Sequence, residues 1–532
     1  MSGTSVPHPP HQEGTRMILV ETPRRTAPRF TLAVAANSRW AVATVLGLFA
    51  ALLAAAGSWI PSLWGDEAAS LMSAERPVPS LFQMLGHVDA VHGTYYLSLH
   101  WWINVFGTSP FAIRFPSAIA VAFAVAGTVA IAWRLADRRV AVIAGLVCAV
   151  LPRVTYMGEE ARSYAFSAAF AVWLTLILLE ILARPRVGKR WWVAYGILLT
   201  AGTYMFLYVA LFAVVHAVLL LVTRSGRRVL VPWAIAIGAS AVACSPLLVV
   251  AFLERKQIAY LASTNQVTAN AVFSSLWFST WTVAVVGWAL ILFALGYEWR
   301  QRGRAVRAGT DSGTGAVDGP LPSLATTGAA WLAIPTLLLI AAHTITPDFT
   351  PRYLSFCAPA AALLIALGLS RLARVRRWAP LVAGALLLAT IVPVYAAQRT
   401  PYAKNGSDWA QVSATIGANA RPGDGVIFDE TAKPSKRPRL AMHTYPAGFQ
   451  GLVDVAVHTP FASNRTWYDS AMTVPQAARA DRFDGIRHIW LIEVVNGKTA
   501  DAYGRADLQR LGFQAVGPTL VTHATQITEL AR

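Results

Sequence analysis

Two adjacent carboxylates, Asp66 and Glu67, follow the first long apolar segment of the chain within the sequence Trp-Gly-Asp-Glu. Ionisable groups at the mouth of an apolar bundle are costly to desolvate, and such a pair suits a general base with a neighbour that binds or orients it. A solvated pair at a helix end is the plainer alternative, and spacing alone favours it. The pair is therefore a candidate for proton abstraction that needs support from other residues.

Asp89 and His92 lie in the same region, within the sequence Val-Asp-Ala-Val-His-Gly-Thr-Tyr-Tyr that starts at Val88. Their side chains could bind a hydroxylated acceptor or, less readily, a divalent metal. A pair of loop residues that hydrogen-bond only to each other fits the sequence equally well.

Two later segments also carry charge beside apolar runs. The first contains Glu160, Arg162 and Tyr164, and the second contains Arg352 and Tyr353. A guanidinium group is permanently charged and fork-shaped, so Arg352 suits the phosphate of a lipid-linked substrate. The alternatives are a surface Glu–Arg pair of little energetic value and an arginine that only reaches toward the membrane surface.

The elements that position these residues follow from composition. Hydrophobic residues make up 55% of the 532 residues and charged residues 14%, against ~25% charged in an ordinary globular chain. This composition predicts a polytopic membrane protein and excludes collagen, a disordered chain, a coiled coil and a soluble DNA-binding domain. Cys148, Cys244 and Cys357 each lie in an apolar run, so neither a disulfide framework nor a paired-cysteine metal site is expected.

About eleven apolar segments are long enough to be membrane helices, since a bilayer core of ~30 Å needs ~20 residues per helix. The fifth and sixth are the weakest, because the turn between them is short. The segments lie near 40–60, 113–133, 140–156, 163–183, 191–206, 207–223, 229–253, 273–296, 324–345, 353–370 and 379–397.

Basic residues concentrate in the loops after the second, fourth, sixth, eighth and tenth segments, which include Arg138, Arg186, Arg227, Arg304 and Arg374. Lys and Arg accumulate in short cytoplasmic loops. The N-terminus is therefore expected in the cytoplasm and the C-terminal region outside the cell membrane. The net charge of +18 is mostly this topology signal together with attraction to anionic lipid, and no nucleic-acid partner is expected.

The chain divides by composition into three parts. Residues 1–36 are rich in Pro, Thr and Arg and are expected to form a flexible cytoplasmic tail. Residues 37–397 form the membrane domain, in which residues 61–112 make an outer loop that is longer than a connector needs. Within that loop, residues 97–106 are aromatic and amphipathic, which predicts a helix lying along the membrane surface.

Residues 398–532 have the alternating pattern of a small extracytoplasmic α/β domain. No Gly-rich phosphate-binding pattern is present, so no cofactor is assigned. The predicted elements are a helix over 408–416 capped by Ser407, strands at 426–428 and 489–492, a helix near 502–511 and a β-rich stretch from Phe513.

The order of these motifs resembles the GT-C glycosyltransferases. The first outer loop opens on Asp-Glu, an Asp precedes Tyr-Tyr before the surface helix, and Phe-Ala-Ile-Arg-Phe-Pro-Ser, Glu-Ala-Arg-Ser-Tyr and Pro-Arg-Tyr-Leu follow in turn. The resemblance is to the family 39-like branch, which includes protein O-mannosyltransferases and lipid A aminoarabinose transferases, and especially to bacterial members described as mannosyltransferases. It covers residues 37–397 and is strongest over 58–165. This chain departs from many relatives where it has Asp-Ala-Val-His-Gly from Asp89 in place of Asp-x-x-Pro-Pro.

The resemblance implies an all-α, GT-C-like bundle that transfers a sugar, mannose by family weight, from a polyprenyl-phosphate donor to a hydroxyl of a lipid, glycan or protein. It implies that Asp66 is the base, that Glu67 supports it, and that Arg162 and Arg352 bind the donor phosphate. Single displacement with inversion and no metal requirement are also implied. The other residues expected to bind substrate are Asp89, His92, Tyr95, Glu160, Tyr164 and Tyr353.

A membrane transporter or flippase is the alternative function, since many helices with a few charges also suit a substrate pathway. That reading predicts ionisable residues near helix midpoints. Here the charges cluster at the expected outer face, and His216 is the main exception.

The topology can be tested by thiol labelling in a background without the three native cysteines. A cysteine introduced near residue 430 is expected to react with an impermeant reagent added from outside, whereas one at residue 304 is not, because the basic loops face the cytoplasm. External labelling at residue 304 would reverse the orientation and separate the grouped residues from the outer face.

Overall fold

The computed structural model describes residues 1–5, 38–255, 267–307, 321–345, 349–495 and 503–532. Most of the expected tail, residues 6–36, lies outside the described residues. Contacts divide the chain into Met1–Ser38 and Arg39–Arg532, and all described helices and strands belong to the second unit.

The described residues from 39 to 397 are mostly helical. Short 3-10 turns at Ala90–His92, Leu207–Leu211 and Pro351–Cys357 interrupt the helices. The α-helices are α1 (Arg39–Ala55), α2 (Gly65–Glu75), α3 (Val78–Leu85), α4 (Gly93–Phe106), α5 (Pro110–Leu135), α6 (Arg138–Val150), α7 (Pro152–Gly158), α8 (Tyr164–Leu182), α9 (Lys189–Met205), α10 (Phe212–Val222), α11 (Arg227–Leu253), α12 (Trp281–Arg307), α13 (Leu324–His343), α14 (Ala358–Val375) and α15 (Ala379–Ala397).

Every predicted apolar segment coincides with one of these helices, which confirms the helical membrane bundle. Among the described residues, 7 helices are long and apolar enough to cross a membrane, or 8 if α6 and α7, bent by 59°, form one span. The remaining predicted segments correspond to shorter helices. These are α1, α9, and the 3-10 turn with α10 over Leu207–Val222. The chain is a multi-pass membrane protein.

Helix packing places one span at the centre of the bundle. The most apolar window of Pro351–Val375 is 94% buried inside the protein, against 11% for α15 at the periphery. The backbones of α14 and α12 approach so closely that a Cβ at Gly368 would lie 2.4 Å from the carbonyl oxygen of Leu290. The hydrophobic effect does not drive helices together in lipid. Small residues at such crossings allow close van der Waals packing, which stabilises the contact instead.

The two ends of the bundle carry different ionic groups. At one end, Arg39 pairs with Glu180 and Arg371 with Glu298, at 3.0 and 2.6 Å. At the opposite end of the helices lie α2, α3 and α4, so the expected outer loop is folded into helices. The expected surface helix is α4, which begins earlier than predicted, at Gly93. Which end faces the cytoplasm stays a prediction.

The C-terminal part contains the helices α16 (Trp409–Asn419), α17 (Leu440–Thr444), α18 (Val474–Arg479) and α19 (Arg505–Arg510). Its main sheet has the order β2-β1-β5-β8-β6, with β7 also on β8; β1 pairs in parallel with β2 and β5, whereas β8 is antiparallel to its neighbours. A second sheet pairs β3 with β4. The strands are β1 (Gly425–Phe428), β2 (Val453–Asp454), β3 (Val457–Thr459), β4 (Ser470–Ala471), β5 (His488–Val494), β6 (Gln514–Ala515), β7 (Leu520–Val521) and β8 (Thr525–Ala531).

The predicted strands at 426–428 and 489–492 are β1 and β5, and the β-rich end is confirmed. The cap assigned to Ser407 is wrong, because Asp408 occupies the N-cap position of α16. The Ser407 hydroxyl instead donates to the carbonyl of Leu63 at 2.6 Å, which ties this region to the start of α2. The predicted start of the last helix, residue 502, lies outside the described residues.

A buried ionic cluster joins the end of α15 to the membrane bundle. The carboxylate of Glu159 lies 3.1 Å from Arg399 and 3.4 Å from Lys404. The ammonium group of Lys404 is fully buried and lies 3.5 Å from the ring centroid of Tyr156. Burial raises the pKa of Glu159, and the two cations oppose that shift. The carboxylate of Glu159 therefore depends on cations that follow the last membrane helix.

Replacing Lys404 by Met is expected to lower the free energy of unfolding by about 3–5 kcal/mol, because it leaves one buried carboxylate with less compensation. Heat or denaturant unfolding in detergent measures the loss. Adding Glu159→Gln should recover part of it, since both charges are then gone.

Arg510→Ala is the control, because Arg510 forms an exposed ion pair with Asp507 at 2.7 Å. Its removal should change stability by no more than about 0.5 kcal/mol. An equal effect of the Lys404 and Arg510 variants would contradict a stabilising role for the buried cluster.

Candidate active site

The first turn of α2 presents both carboxylates of the Asp-Glu pair. Acidic side chains are favoured there by the exposed N–H groups and the helix dipole. The turn packs tightly on the C-terminal part, since a Cβ at Gly65 would lie 2.4 Å from the carbonyl oxygen of Ser435. Only glycine fits this approach without displacing the backbone, so the position of Asp66 depends on both parts of the chain.

Glu67 is fully buried and forms a bidentate ion pair with Arg114 of α5. The Arg114 Nε and Nη2 atoms donate to its two oxygens at 2.7 and 2.6 Å. The backbone N–H of Ala161 also donates to Glu67, at 2.9 Å, and Arg114 donates to the carbonyl of Pro61, also at 2.9 Å. Glu67 thus fixes three segments of chain, which is a positioning role.

Asp66 lies beside Glu67 in sequence but is partly exposed, and its carboxylate forms an ion pair with Arg352 at 2.6 Å. The Arg352 guanidinium also lies 5.4 Å from the centroid of the Trp64 ring. Both charged side chains keep about a quarter of their surface accessible, 22% for Asp66 and 26% for Arg352. The structure therefore places a carboxylate and a cation, predicted from segments far apart in sequence, in direct contact.

Arg162 approaches the same turn from the other side. Its guanidinium donates to the backbone carbonyl of Asp66 at 3.4 Å, to the hydroxyl of Tyr96 at 3.3 Å and to the His92 Nε2 atom at 2.9 Å. Burial, followed by the charge of Arg162, lowers the pKa of His92 to about 4. A neutral imidazole can accept this hydrogen bond, and protonation would abolish it.

Asp89 belongs to the same network through Tyr96, whose hydroxyl donates to its carboxylate. The indole N–H of Trp467 donates to Asp89 at 3.1 Å, so the C-terminal part contributes here too. Asp89 has a left-handed backbone with φ of 63°, a conformation that Asp tolerates better than most residues. The next N–H, of Ala90, donates to Glu254 at 3.0 Å. These contacts fix the loop before α4.

Three other expected substrate residues are buried close to this network. Glu160, Tyr95 and Tyr164 each have a side-chain oxygen without a hydrogen-bond partner among the described residues. Burial raises the pKa of Glu160, which also lies within electrostatic reach of Asp66. Buried polar groups are normally hydrogen-bonded, so these oxygens can serve a bound polar substrate.

Tyr353 lies at the aromatic side of the site. Its ring is 5.3 Å from that of Tyr208 and 6.1 Å from that of Phe206. It follows Arg352 directly in the 3-10 turn that leads into α14. The expected residues therefore gather at one end of the bundle. Among the described residues, no group of three or more His, Cys, Asp or Glu side chains could hold a metal ion, and metal independence stays a prediction.

Sequence reasoning gave no role to several residues that build the site. Arg114 stood in a quoted motif, and its position in that motif was the available signal. Lys404, Arg399 and Trp467 follow the membrane bundle in sequence, where nothing in the local pattern indicates contact with residues before α8. Their roles depend on contacts across hundreds of residues.

Comparison with known proteins identifies the fold. Residues 95–252 match the family described as dolichyl-phosphate-mannose-protein mannosyltransferase. ArnT from Cupriavidus metallidurans aligns with 91% of this chain and 97% of its own, in the apo state (14% identity, TM-score 0.54) and bound to undecaprenyl phosphate (13%, 0.56). The search of curated proteins gave no match.

An oligosaccharyltransferase from Archaeoglobus fulgidus also aligns, with 13% identity, a TM-score of 0.46 and coverage of 85% of this chain and 67% of its own. The ArnT alignment shows that this chain has the GT-C fold, and the segment 95–252 within it matches the mannosyltransferase family.

His92→Gln tests the neutral imidazole. A base whose pKa is lowered by folding binds fewer protons in the folded state, so stability falls as pH decreases from about 6.5 toward about 4. The apparent melting temperature of the wild type in detergent should therefore decline more over this interval than that of the variant, which cannot titrate but keeps a hydrogen-bond acceptor. Parallel pH profiles for the two proteins would contradict a buried, neutral His92.

Proposed function

We propose that this protein is an integral membrane glycosyltransferase that moves a sugar, with mannose the first candidate, from a polyprenyl-phosphate donor to an acceptor hydroxyl on the extracytoplasmic face. The observation that carries the proposal is the contact of Asp66 with Arg352 at 2.6 Å, at the bundle end where the C-terminal part also packs. A base and a phosphate-binding cation are the two groups that such a transfer needs most.

The reaction is a single displacement. The acceptor oxygen attacks the anomeric carbon while the bond from that carbon to the phosphate oxygen breaks. The hydroxyl proton passes to the carboxylate of Asp66, and the electron pair of the broken bond leaves on the polyprenyl phosphate. One base and no second nucleophilic carboxylate are required, which agrees with inversion at the anomeric centre.

Arg352 connects donor binding to the base. In the structure its guanidinium faces the carboxylate of Asp66. The donor phosphodiester carries one negative charge over two non-bridging oxygens, as a carboxylate does, so it can accept the same bidentate hydrogen bonds and compete for this guanidinium. Movement of Arg352 toward the phosphate would release Asp66 to accept a proton only once donor is present.

Arg162 is the second phosphate-binding candidate. It is held on one side by neutral His92 and on another by Tyr96, and no carboxylate contacts it directly in the described structure. Its positive charge is therefore available to the leaving group. ArnT, which shares the fold of this chain, has been crystallised with undecaprenyl phosphate, and this supports a lipid-phosphate donor.

The sugar and the acceptor are assigned to the surrounding polar residues. A buried carboxyl with a raised pKa, such as Glu160, can donate a hydrogen bond to a sugar hydroxyl in its protonated form. The hydroxyls of Tyr95 and Tyr164 can donate or accept. Asp89, His92 and Tyr353 complete the proposed substrate contacts.

The transporter alternative gains no support from the membrane interior. His216 of α10, the main polar exception there, is hydrogen-bonded to Tyr195 at 2.8 Å and to Thr175 at 3.3 Å. These contacts satisfy a buried imidazole within the core. The ionic groups of the candidate site lie at the helix ends.

Asp66→Asn is expected to lower turnover by about 10²- to 10⁴-fold, because the amide keeps the shape of the side chain and loses its basicity. The assay uses purified protein, membranes from a strain without the gene as acceptor, and radiolabelled polyprenyl-phosphate sugars, beginning with mannose. Binding of undecaprenyl phosphate should persist in the variant.

Asp484→Asn is the matched control, since this exposed carboxylate lies on the C-terminal part away from α2. It should retain wild-type transfer. Near-normal turnover of Asp66→Asn would refute the base assignment. Failure of every polyprenyl-phosphate sugar with the wild type would refute the donor class.

A further inference from the structure

A large groove of about 1090 Å³ lies between α9 and α11. None of the residues that line it belongs to the candidate site. Its walls come from successive turns of both helices and from the loop before α9. The groove is mainly apolar, and its charged residues concentrate at one end.

The mouth of the groove is strongly basic. It is lined by Arg184, Arg186, Lys189 and Arg228. Arg184 pairs with Glu180 at 3.2 Å, but the other three cations are exposed and have no acidic partner among the described residues. Such a cluster attracts a group with net negative charge.

Beyond the mouth the walls of the groove are formed by apolar residues, both large and small. Trp192 and Ile197 of α9 face Pro232 and Ile235 of α11 across the groove. At its floor the hydroxyl of Ser240 donates to the carbonyl of Gly196 at 3.0 Å, so this polar group is already satisfied. The interior therefore favours hydrocarbon.

The length of the groove matches one leaflet of a bilayer. Along α9 the lining extends from Lys189 to Ala201, which at ~1.5 Å per residue is roughly 18 Å. Half of a ~30 Å hydrocarbon core is ~15 Å. A cavity that begins among cations at the membrane surface and ends near the bilayer midplane has the dimensions of a phospholipid tail with its headgroup.

We propose that this groove is a binding site for an anionic diacyl phospholipid of the leaflet next to the basic loops. The headgroup phosphate lies among Arg186, Lys189 and Arg228, and an acyl chain fills the channel between α9 and α11. The site differs from the proposed donor site, whose cations Arg162 and Arg352 lie at the opposite ends of the helices. It is independent of glycosyl transfer and can be tested without a sugar donor.

The experiment is lipid titration of the delipidated full-length protein in detergent, read by native mass spectrometry. Dioleoyl phosphatidylglycerol is expected to bind more tightly than dioleoyl phosphatidylcholine. The double variant R186Q/R228Q should weaken phosphatidylglycerol binding by about tenfold or more, since it removes two of the cations that attract the headgroup phosphate. R374Q/R376Q is the matched control, because it removes the same charge from exposed positions outside the groove.

A second pair of variants tests the tail. Ala239 is exposed and lines the groove, so Ala239→Phe should reduce occupancy by both lipids; Ala234→Phe, at an exposed position on α11 outside the lining, should not. If Ala239→Phe does not fold, Ala243→Phe fills the same channel. Equal binding of the two lipids by the wild type, or equal losses in the two arginine double variants, would overturn the proposal.

Discussion

Glu67 and Arg114 form a buried ion pair, and the arrangement of the bundle end that carries α2 depends on it. Both side chains are shielded completely, so each charge is tolerable only because the other is present. Arg114 also donates a hydrogen bond to the carbonyl of Pro61, and Glu67 accepts one from the N–H of Ala161. Because Glu67 cannot move, the neighbouring Asp66 is held at the surface of the same helical turn, within reach of Arg352.

The adjacent carboxylates therefore have opposite environments. Glu67 has both oxygens occupied by donors from the protein and is fully buried, whereas Asp66 is partly exposed and forms an ion pair with Arg352. Sequence adjacency on a helix makes this division possible, since neighbouring side chains point about 100° apart. A fixed carboxylate and an exchangeable one are what a rigid scaffold with a reactive group requires.

Local patterns predicted the elements well and the contacts poorly. Membrane helices were evident because a lipid core requires long apolar segments. The strands β1 and β5 were evident because buried strands are short, rich in β-branched and aromatic residues, and bounded by turn residues. The Asp66–Arg352 grouping came from a family resemblance in motif order. Nothing local could reveal that Lys404 compensates Glu159 or that Trp467 binds Asp89, 378 residues away, because such partners are set by tertiary packing.

The ionic cluster around Glu159 has a consequence for how such proteins can be recombined. The segment from Arg399 to Lys404 follows the last membrane helix and would be assigned to the C-terminal part by sequence, yet its cations neutralise a carboxylate of the bundle. A chimaera joined directly after α15 would exchange those cations for unrelated residues. The natural splice point for grafting a different C-terminal part therefore lies beyond Lys404, so that the membrane half retains its own counter-ions.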